Sequence, residues 1–160
     1  DNITVEDISR EAGVSVGAFY HYFKSKNDIL YEVFHRIDEY FEKEFHFENL
    51  SVPEQILLFF EYYAKYEEIS GVDTARKLYS NMEHLFISSE RYLPKLLNSI
   101  VKSGQEDGSI TDNIPSEEIS EYLLVVARGV CYDWCLHNGS FDIEKMTIKY
   151  IKRLLPALLK

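Results

Sequence analysis

The chain has 160 residues, and its 27 acidic and 17 basic residues give a formal net charge of −10. This length suits one domain, or one domain with a small appendage, and the 46% of hydrophobic residues indicates a folded protein rather than a disordered one. No apolar run approaches the roughly 18 residues needed to span a bilayer, which argues against a transmembrane protein. An acidic chain is not expected to coat nucleic acid through charge alone. Two cysteines form no disulfide framework, and with no leader pattern this favours a cytoplasmic location.

The first third of the chain contains three predicted helices. Thr4, followed by Asp7 three residues later, approaches the capping-box pattern at a helix start. Ser15 is the expected N-cap of a second, short helix, and Ser25 that of a long third one. The predicted helices cover residues 4–12, 16–22 and about 26–45.

The remainder of the chain has the pattern of further helices separated by turn residues. Pro53 suits a first helical turn and Gly71 a helix end, while residues 107–115 are the clearest loop. We expect Ser116 and Asp142 to cap the two helices that follow this loop. The helices are expected at about 53–71, 73–87, 88–105, 117–137 and 143–158. The sequence therefore predicts an all-α fold.

Two short helices joined by Gly13-Val14-Ser15 form a helix-turn-helix arrangement. In this arrangement the first helix braces across the DNA backbone, and the N-terminal end of the second enters the major groove. The small residues Gly17 and Ala18 allow close approach to the DNA. Residues 15–27 contain no acid, and hydroxyl, imidazole and ammonium donors are supplied there by Tyr20, His21, Tyr22, Lys24 and Lys26. This segment is a local basic site in an otherwise acidic chain.

The segment from Thr4 to Leu30, TVEDISREAGVSVGAFYHYFKSKNDIL, resembles the DNA-binding segment of the tetracycline-repressor (TetR) family. Three features of this segment match the family pattern. They are the Gly-Val-Ser turn, the aromatic block that follows it, and a Lys-x-Lys pair placed before an acid and a leucine. The resemblance implies a homodimeric, ligand-responsive transcriptional repressor. It also implies a helix-turn-helix domain over 1–46, preceded by a further helix that begins upstream of Asp1, and a helical effector-binding and dimerisation domain over 47–160.

The resemblance also implies which residues contact DNA. Val16, Gly17 and Ala18 occupy the implied base-reading positions, but none carries a side-chain donor for the bidentate contacts worth about 1–3 kcal/mol each. Readout is therefore expected from thymine methyl contacts, DNA shape or Tyr20. For the aromatic residues the alternative is closure of the small core, as expected for Phe19. The implied phosphate contacts are Thr4, Ser15, Tyr20, His21, Tyr22 and Lys26.

The middle helices are rich in aromatic residues at helical spacing. A packed core and a ligand cavity both explain this spacing, and the sequence leaves the choice open for each residue. The family resemblance favours a cavity for a small hydrophobic or aromatic effector lined by some of these residues. The candidate ligand-binding residues are Phe59, Tyr62, Tyr63, Tyr66, Met82, Phe86, Cys131 and Trp134.

The helix over 117–137 is apolar on more than one face, and the last helix has an apolar stripe beside its basic residues. We expect these two helices to form a four-helix interface with a second copy. Two-fold symmetry would then match two recognition helices to a palindromic operator, and the long third helix would connect effector to DNA. The candidate interface residues are Tyr122, Val126, Val130, Tyr150, Ile151, Leu154 and Leu158.

The sequence offers no catalytic or metal-binding motif. Cys131 and Cys135 lie one turn apart, but His137 is off their shared face, so buried cysteines are favoured over a metal or redox site. No phosphate-binding loop or Gly-x-Ser-x-Gly pattern occurs. We therefore expect no enzyme, cofactor or metal. The alternatives are a DNA-binding activator or architectural regulator without a ligand, and a helical carrier of lipid-like molecules.

Overall fold

The computed structural model describes residues 3–81 and 91–160. Over these residues the chain is α-helical, and its extended pairing is limited to an isolated bridge between Ile110 and Leu159. The all-α prediction is confirmed. The helices are α1 (Val5–Glu11), α2 (Val16–Tyr22), α3 (Lys26–Glu44), α4 (Val52–Ser70), α5 (Val72–Asn81), α6 (Tyr92–Asp107), α7 (Ser116–Leu136) and α8 (Ile143–Leu154), followed by a 3-10 turn (Leu155–Ala157).

The chain divides into two compact units, Asp1–Ile37 and Asp38–Lys160, called unit 1 and unit 2 below. The division falls inside α3, whereas the boundary predicted near residue 46 follows the end of that helix. Asp38 belongs to unit 2 because its carboxylate accepts hydrogen bonds from Arg91 at 3.0 Å and from the Leu93 amide at 3.3 Å. The functional division near residue 46 stays a prediction.

Unit 1 is organised by the caps of its two short helices. The Thr4 hydroxyl accepts a hydrogen bond from the Asp7 amide at 3.2 Å, while the Asp7 carboxylate accepts one from the Thr4 amide at 3.1 Å. This completes the predicted capping box. The Ser15 hydroxyl accepts a hydrogen bond from the Ala18 amide at 3.0 Å and so caps α2 as predicted.

Unit 2 is built around α4, which packs against α5, α6, α7 and α8. Its inward side chains recur at helical spacing, and α6 and α7 contribute facing residues such as Leu97 and Leu123, which are fully buried. The buried residues of α4 are Val52, Ile56, Phe59, Phe60, Tyr63, Ala64 and Glu67.

Two expectations about helix ends are corrected by the structure. Pro115 is the N-cap of α7 and Ser116 is its first residue, so Ser116 does not cap the helix. The last helix ends at Leu154 and continues only as a 3-10 turn, because Pro156 has no backbone N–H to donate. The end of the helix expected at 73–87 and the start of the one expected at 88–105 lie outside the described residues.

In the described ranges, none of the helices has the length and apolar composition that a bilayer span requires.

Candidate DNA-binding interface and effector region

The turn between α1 and α2 is fixed by a left-handed glycine. Gly13 has φ of 67°, and its amide donates to the Arg10 carbonyl at 3.2 Å. The Val14 amide donates to the Ser9 carbonyl at 2.9 Å. These two bonds form a Schellman motif, which satisfies the last carbonyls of α1 and sets the direction in which the chain enters α2.

The exposed surface of α2 carries most of the predicted DNA contacts. Tyr20 is 55% exposed and Tyr22 is 79% exposed, and His21 and Gly17 are also on the surface. Phe19 is buried and packs against Phe23, with ring centroids 5.4 Å apart. Phe19 therefore closes the small core, whereas Tyr20 and Tyr22 do not. The sequence spacing had left core packing and DNA contact open for these tyrosines.

Small side chains stand at the predicted base-reading positions. Val16 and Ala18 are partly buried, whereas Gly17 is exposed. A Cβ atom placed on Gly17 would meet only the Ser15 hydroxyl, at 3.8 Å. The protein itself therefore leaves room at this position, which is open for approach by another molecule.

Three of the predicted phosphate-binding groups already make contacts inside unit 1. The Thr4 hydroxyl donates to Asp7 at 2.8 Å, and the Lys26 ammonium donates to the Ile3 carbonyl at 3.3 Å. The Ser15 hydroxyl accepts the cap hydrogen bond through an oxygen lone pair. The cap therefore does not fix the direction in which the hydroxyl proton points. All three residues are exposed, so these contacts position them at the surface of unit 1.

The candidate ligand-binding residues separate into two groups on α4. Phe59, Tyr62 and Tyr66 face aromatic side chains of α3: Phe59 lies 4.9 Å from Phe41, and Tyr66 lies 5.5 Å from Tyr40, between ring centroids. Phe59 is fully buried in this contact, which makes it a core residue. Met82 and Phe86 lie outside the described residues.

The second group surrounds a residue that sequence analysis missed. Tyr63 and Cys131 are buried beside Glu67, whose carboxyl group interacts with the hydroxyl of the first and the thiol of the second. Burial is the main cause that raises the pKa of Glu67 to about 7, and hydrogen bonds from Cys131 and Tyr63 oppose the rise. Its position four residues after Tyr63, on the buried face of α4, is the signal that could have identified it.

Trp134 and the cysteines belong to the packing between α5, α7 and α8. Cys131, Cys135 and Trp134 share a buried cluster with Ala75 and Ile143, and the Trp134 indole donates to the Phe141 carbonyl at 3.0 Å. Both cysteines are free thiols. Burial raises the pKa of each thiol, which disfavours the reactive thiolate. In the part of the chain that the structure describes, no three His, Cys, Asp or Glu side chains are grouped as metal ligands.

The predicted interface residues lie at different depths in the subunit. Tyr122 and Tyr150 are exposed, and Val126 and Leu154 are partly buried. Val130, Ile151 and Leu158 are buried within the subunit and therefore offer little surface to a second copy. The exposed apolar face of α7 instead contains Tyr122, Val125, Gly129, Tyr132 and Leu136, and is called the α7 stripe below.

Residues 1–33 match the family model described as "Bacterial regulatory proteins, tetR family". The chain is 24% identical over 165 residues to the HTH-type transcriptional repressor KstR2 of Rhodococcus jostii, an alignment that covers 97% of this chain and 80% of that protein.

Solved structures share the fold over nearly the whole chain. A TetR-family transcriptional regulator from Rhodococcus sp. superposes with a TM-score of 0.73 at 14% identity, over 99% of this chain and 88% of that one. Thermus thermophilus FadR in complex with lauroyl-CoA superposes with a TM-score of 0.61 at 18% identity, over 97% of this chain and 84% of that one. The resemblance seen in the sequence is confirmed: residues 1–33 match the TetR-family model, and the relatives and solved structures that the chain resembles along nearly its whole length support a TetR-family regulator.

Proposed function

We propose that the protein is a homodimeric repressor that binds a palindromic operator through α2 and is released by a small hydrophobic or aromatic effector held in unit 2. The observation that carries the proposal is the outer face of α2, where Tyr20, His21 and Tyr22 are exposed beside the small residue Gly17. A helix of this kind can approach the major groove closely, while its hydroxyl and imidazole groups reach the phosphates.

The dimer is supported by the α7 stripe. Its five residues follow at alternating spacings of three and four residues, the repeat that lets two helices pack along one seam. Two copies related by a two-fold axis would bury the stripe of each subunit against the other, and two α2 helices would then read two half-sites.

The effector role is supported by unit 2 and by a structural relative. The FadR structure that shares this fold holds lauroyl-CoA, an apolar chain with a polar head. In the protein described here, α4 places aromatic rings and one carboxyl group on its buried side. An effector releases DNA only if it binds the DNA-incompatible conformation more tightly than the DNA-bound one.

Footprinting of the full chain on the DNA that flanks its own gene tests this proposal. We expect protection of two half-sites with inverted symmetry, and loss of protection with one of dodecylamine, dodecanol, dodecanoic acid or lauroyl-CoA. Protection of a single asymmetric site would contradict the palindromic operator. Protection that survives every compound at saturating concentration would contradict effector release and favour a DNA-binding regulator without a ligand.

A further inference from the structure

Glu67 is a carboxyl group placed inside the hydrophobic core of unit 2. Its side chain is 6% exposed, and among the described residues it is the one acidic side chain in the buried set. Helical spacing along α4 places it with Ile56, Phe60 and Tyr63 on the buried face. Its burial is therefore set by the helix that forms the centre of unit 2.

Three helices bring polar groups to this carboxyl. The Tyr63 hydroxyl from α4 and the Cys131 thiol from α7 hydrogen-bond with Glu67, and the buried Tyr79 side chain from α5 interacts electrostatically with Tyr63 and Glu67. The cation that acts on Glu67 is Arg91, whose guanidinium also donates to Asp38 at 3.0 Å. The immediate partners of Glu67 on α4 and α7 are thus neutral donors.

A carboxyl group in such a place destabilises the fold when it ionises. Neutral donors compensate less of the desolvation cost than a paired cation does, and an apolar side chain of similar size would avoid the cost altogether. Buried ionisable groups with shifted pKa values are concentrated at functional sites. Glu67 lies next to Tyr63 and Cys131, two of the candidate ligand-binding residues that the family resemblance favours.

We propose that Glu67 is the polar anchor of the effector site and that the effector carries a protonated amine on an apolar or aromatic body. This assignment rests on the proposed function, because it names the ligand class for the same region. An ammonium group supplies both the opposite charge and the N–H donors that a buried carboxylate needs. Tyr63, Tyr79 and Trp134 lie in the same part of unit 2 and offer aromatic surface for the body of the ligand and its cation.

Isothermal titration calorimetry with three compounds of equal chain length tests the assignment. Dodecylamine, dodecanol and dodecanoic acid differ only in the head group and are titrated below their micellar concentrations into the full chain. We expect dodecylamine to bind at least tenfold more tightly than the other two. We also expect its binding to be about tenfold tighter at pH 8 than at pH 6, because Glu67 ionises over this range.

Two variants separate the anchor from general electrostatic attraction. Glu67→Gln should lose at least tenfold in dodecylamine affinity together with the pH dependence. Glu68→Gln, which removes the same charge from an exposed neighbouring position on α4, should bind like the wild type. Equal dodecylamine binding by Glu67→Gln and the wild type would overturn the assignment, as would equal binding of dodecanol and dodecylamine by the wild type.

Infrared difference spectra of the wild type provide a second measurement that requires no variant. At pH 6, dodecylamine should abolish the band of one protonated carboxyl group, and an unchanged band would overturn the assignment.

Failure of the repressor proposal and failure of the amine assignment give different results. A chain that binds no operator but binds dodecylamine through Glu67 refutes repression alone, whereas operator release by lauroyl-CoA without amine binding refutes the amine alone.

Discussion

At the scale of single residues, Glu67 couples the stability of unit 2 to pH. Its pKa is about 7 in the folded protein, against 4.5 for an ordinary glutamate. The groups that act on it are Tyr63 on the same helix, Cys131 on α7, and Arg91 ahead of α6. The folded state binds the Glu67 proton more tightly than the unfolded state, so protonation of Glu67 stabilises the fold. This stabilisation is fully present below about pH 4.5 and is lost as the pH rises through 7.

The first prediction concerns this loss of stability. Between pH 5 and pH 8 the free energy of unfolding of the wild type should fall by about 2–3 kcal/mol more than that of Glu67→Gln, which cannot ionise. Urea titrations at both pH values measure the difference. Glu68→Gln should follow the wild type, and parallel pH profiles of Glu67→Gln and the wild type would refute a buried, neutral Glu67.

The second prediction separates folding from DNA binding at Gly17. Gly17→Ala should raise the stability of the protein by up to about 1 kcal/mol, because alanine is the better helix former and its Cβ meets only Ser15 at 3.8 Å. Operator affinity should nevertheless fall fivefold or more, because the methyl group occupies the space needed for approach to DNA. Thermal unfolding and fluorescence anisotropy measure the two effects. Unchanged DNA affinity would place Gly17 away from the groove.

At the scale of elements, the caps explain how much of the fold the sequence predicts. Thr4, Ser15 and Asp142 cap α1, α2 and α8 as predicted. The prediction succeeds because a short polar side chain just before an apolar helical pattern can accept a hydrogen bond from a free amide of the first turn. Ser116 follows the same pattern but lies after Pro115, whose extended backbone already forms the N-cap. Pro156 likewise ends α8 despite a continuous apolar stripe.

The third prediction concerns the contact of α6 with the loop that follows it. A Cβ on Gly104 would lie 2.5 Å from Ile110 Cγ1 and 2.7 Å from Val52 Cγ1, so the backbone of α6 approaches these side chains more closely than alanine permits. Gly104→Ala should destabilise the protein by about 1–3 kcal/mol in urea unfolding. Ser103→Ala, one residue earlier and exposed, is the control and should be neutral or slightly stabilising. A stabilised Gly104→Ala would contradict the packing of this loop.

At the scale of the whole molecule, the sequence predicts more about unit 1 than about unit 2. The helix-turn-helix depends on local signals such as Gly13 and Ser15, which hydrogen-bond to residues within five positions. In unit 2, helical spacing cannot distinguish Phe59, which packs on α3, from Tyr63, which lies beside α7. That distinction depends on which helices pack together. Glu67 was missed for a different reason: its spacing places it on the buried face of α4, but a charged residue is ordinarily expected to be exposed.

The fourth prediction concerns assembly through the α7 stripe. Val125→Glu should leave the subunit folded, because Val125 is exposed, but should convert a dimer into a monomer by placing two carboxylates near the two-fold axis. Light scattering coupled to gel filtration at micromolar concentration measures the mass. Ile69→Glu makes the same change at an exposed position on α4 and should remain dimeric. A dimeric Val125→Glu would place the interface elsewhere.

Fluorescence anisotropy on DNA that flanks the gene, with random DNA of equal length as the reference, tests whether α2 reads an operator. We predict tighter binding to the flanking DNA, a loss of about a thousandfold or more between 50 and 200 mM salt, and at least a tenfold loss in Tyr20→Ala. Equal affinity for flanking and random DNA, together with full binding by Tyr20→Ala, would show that α2 does not read an operator.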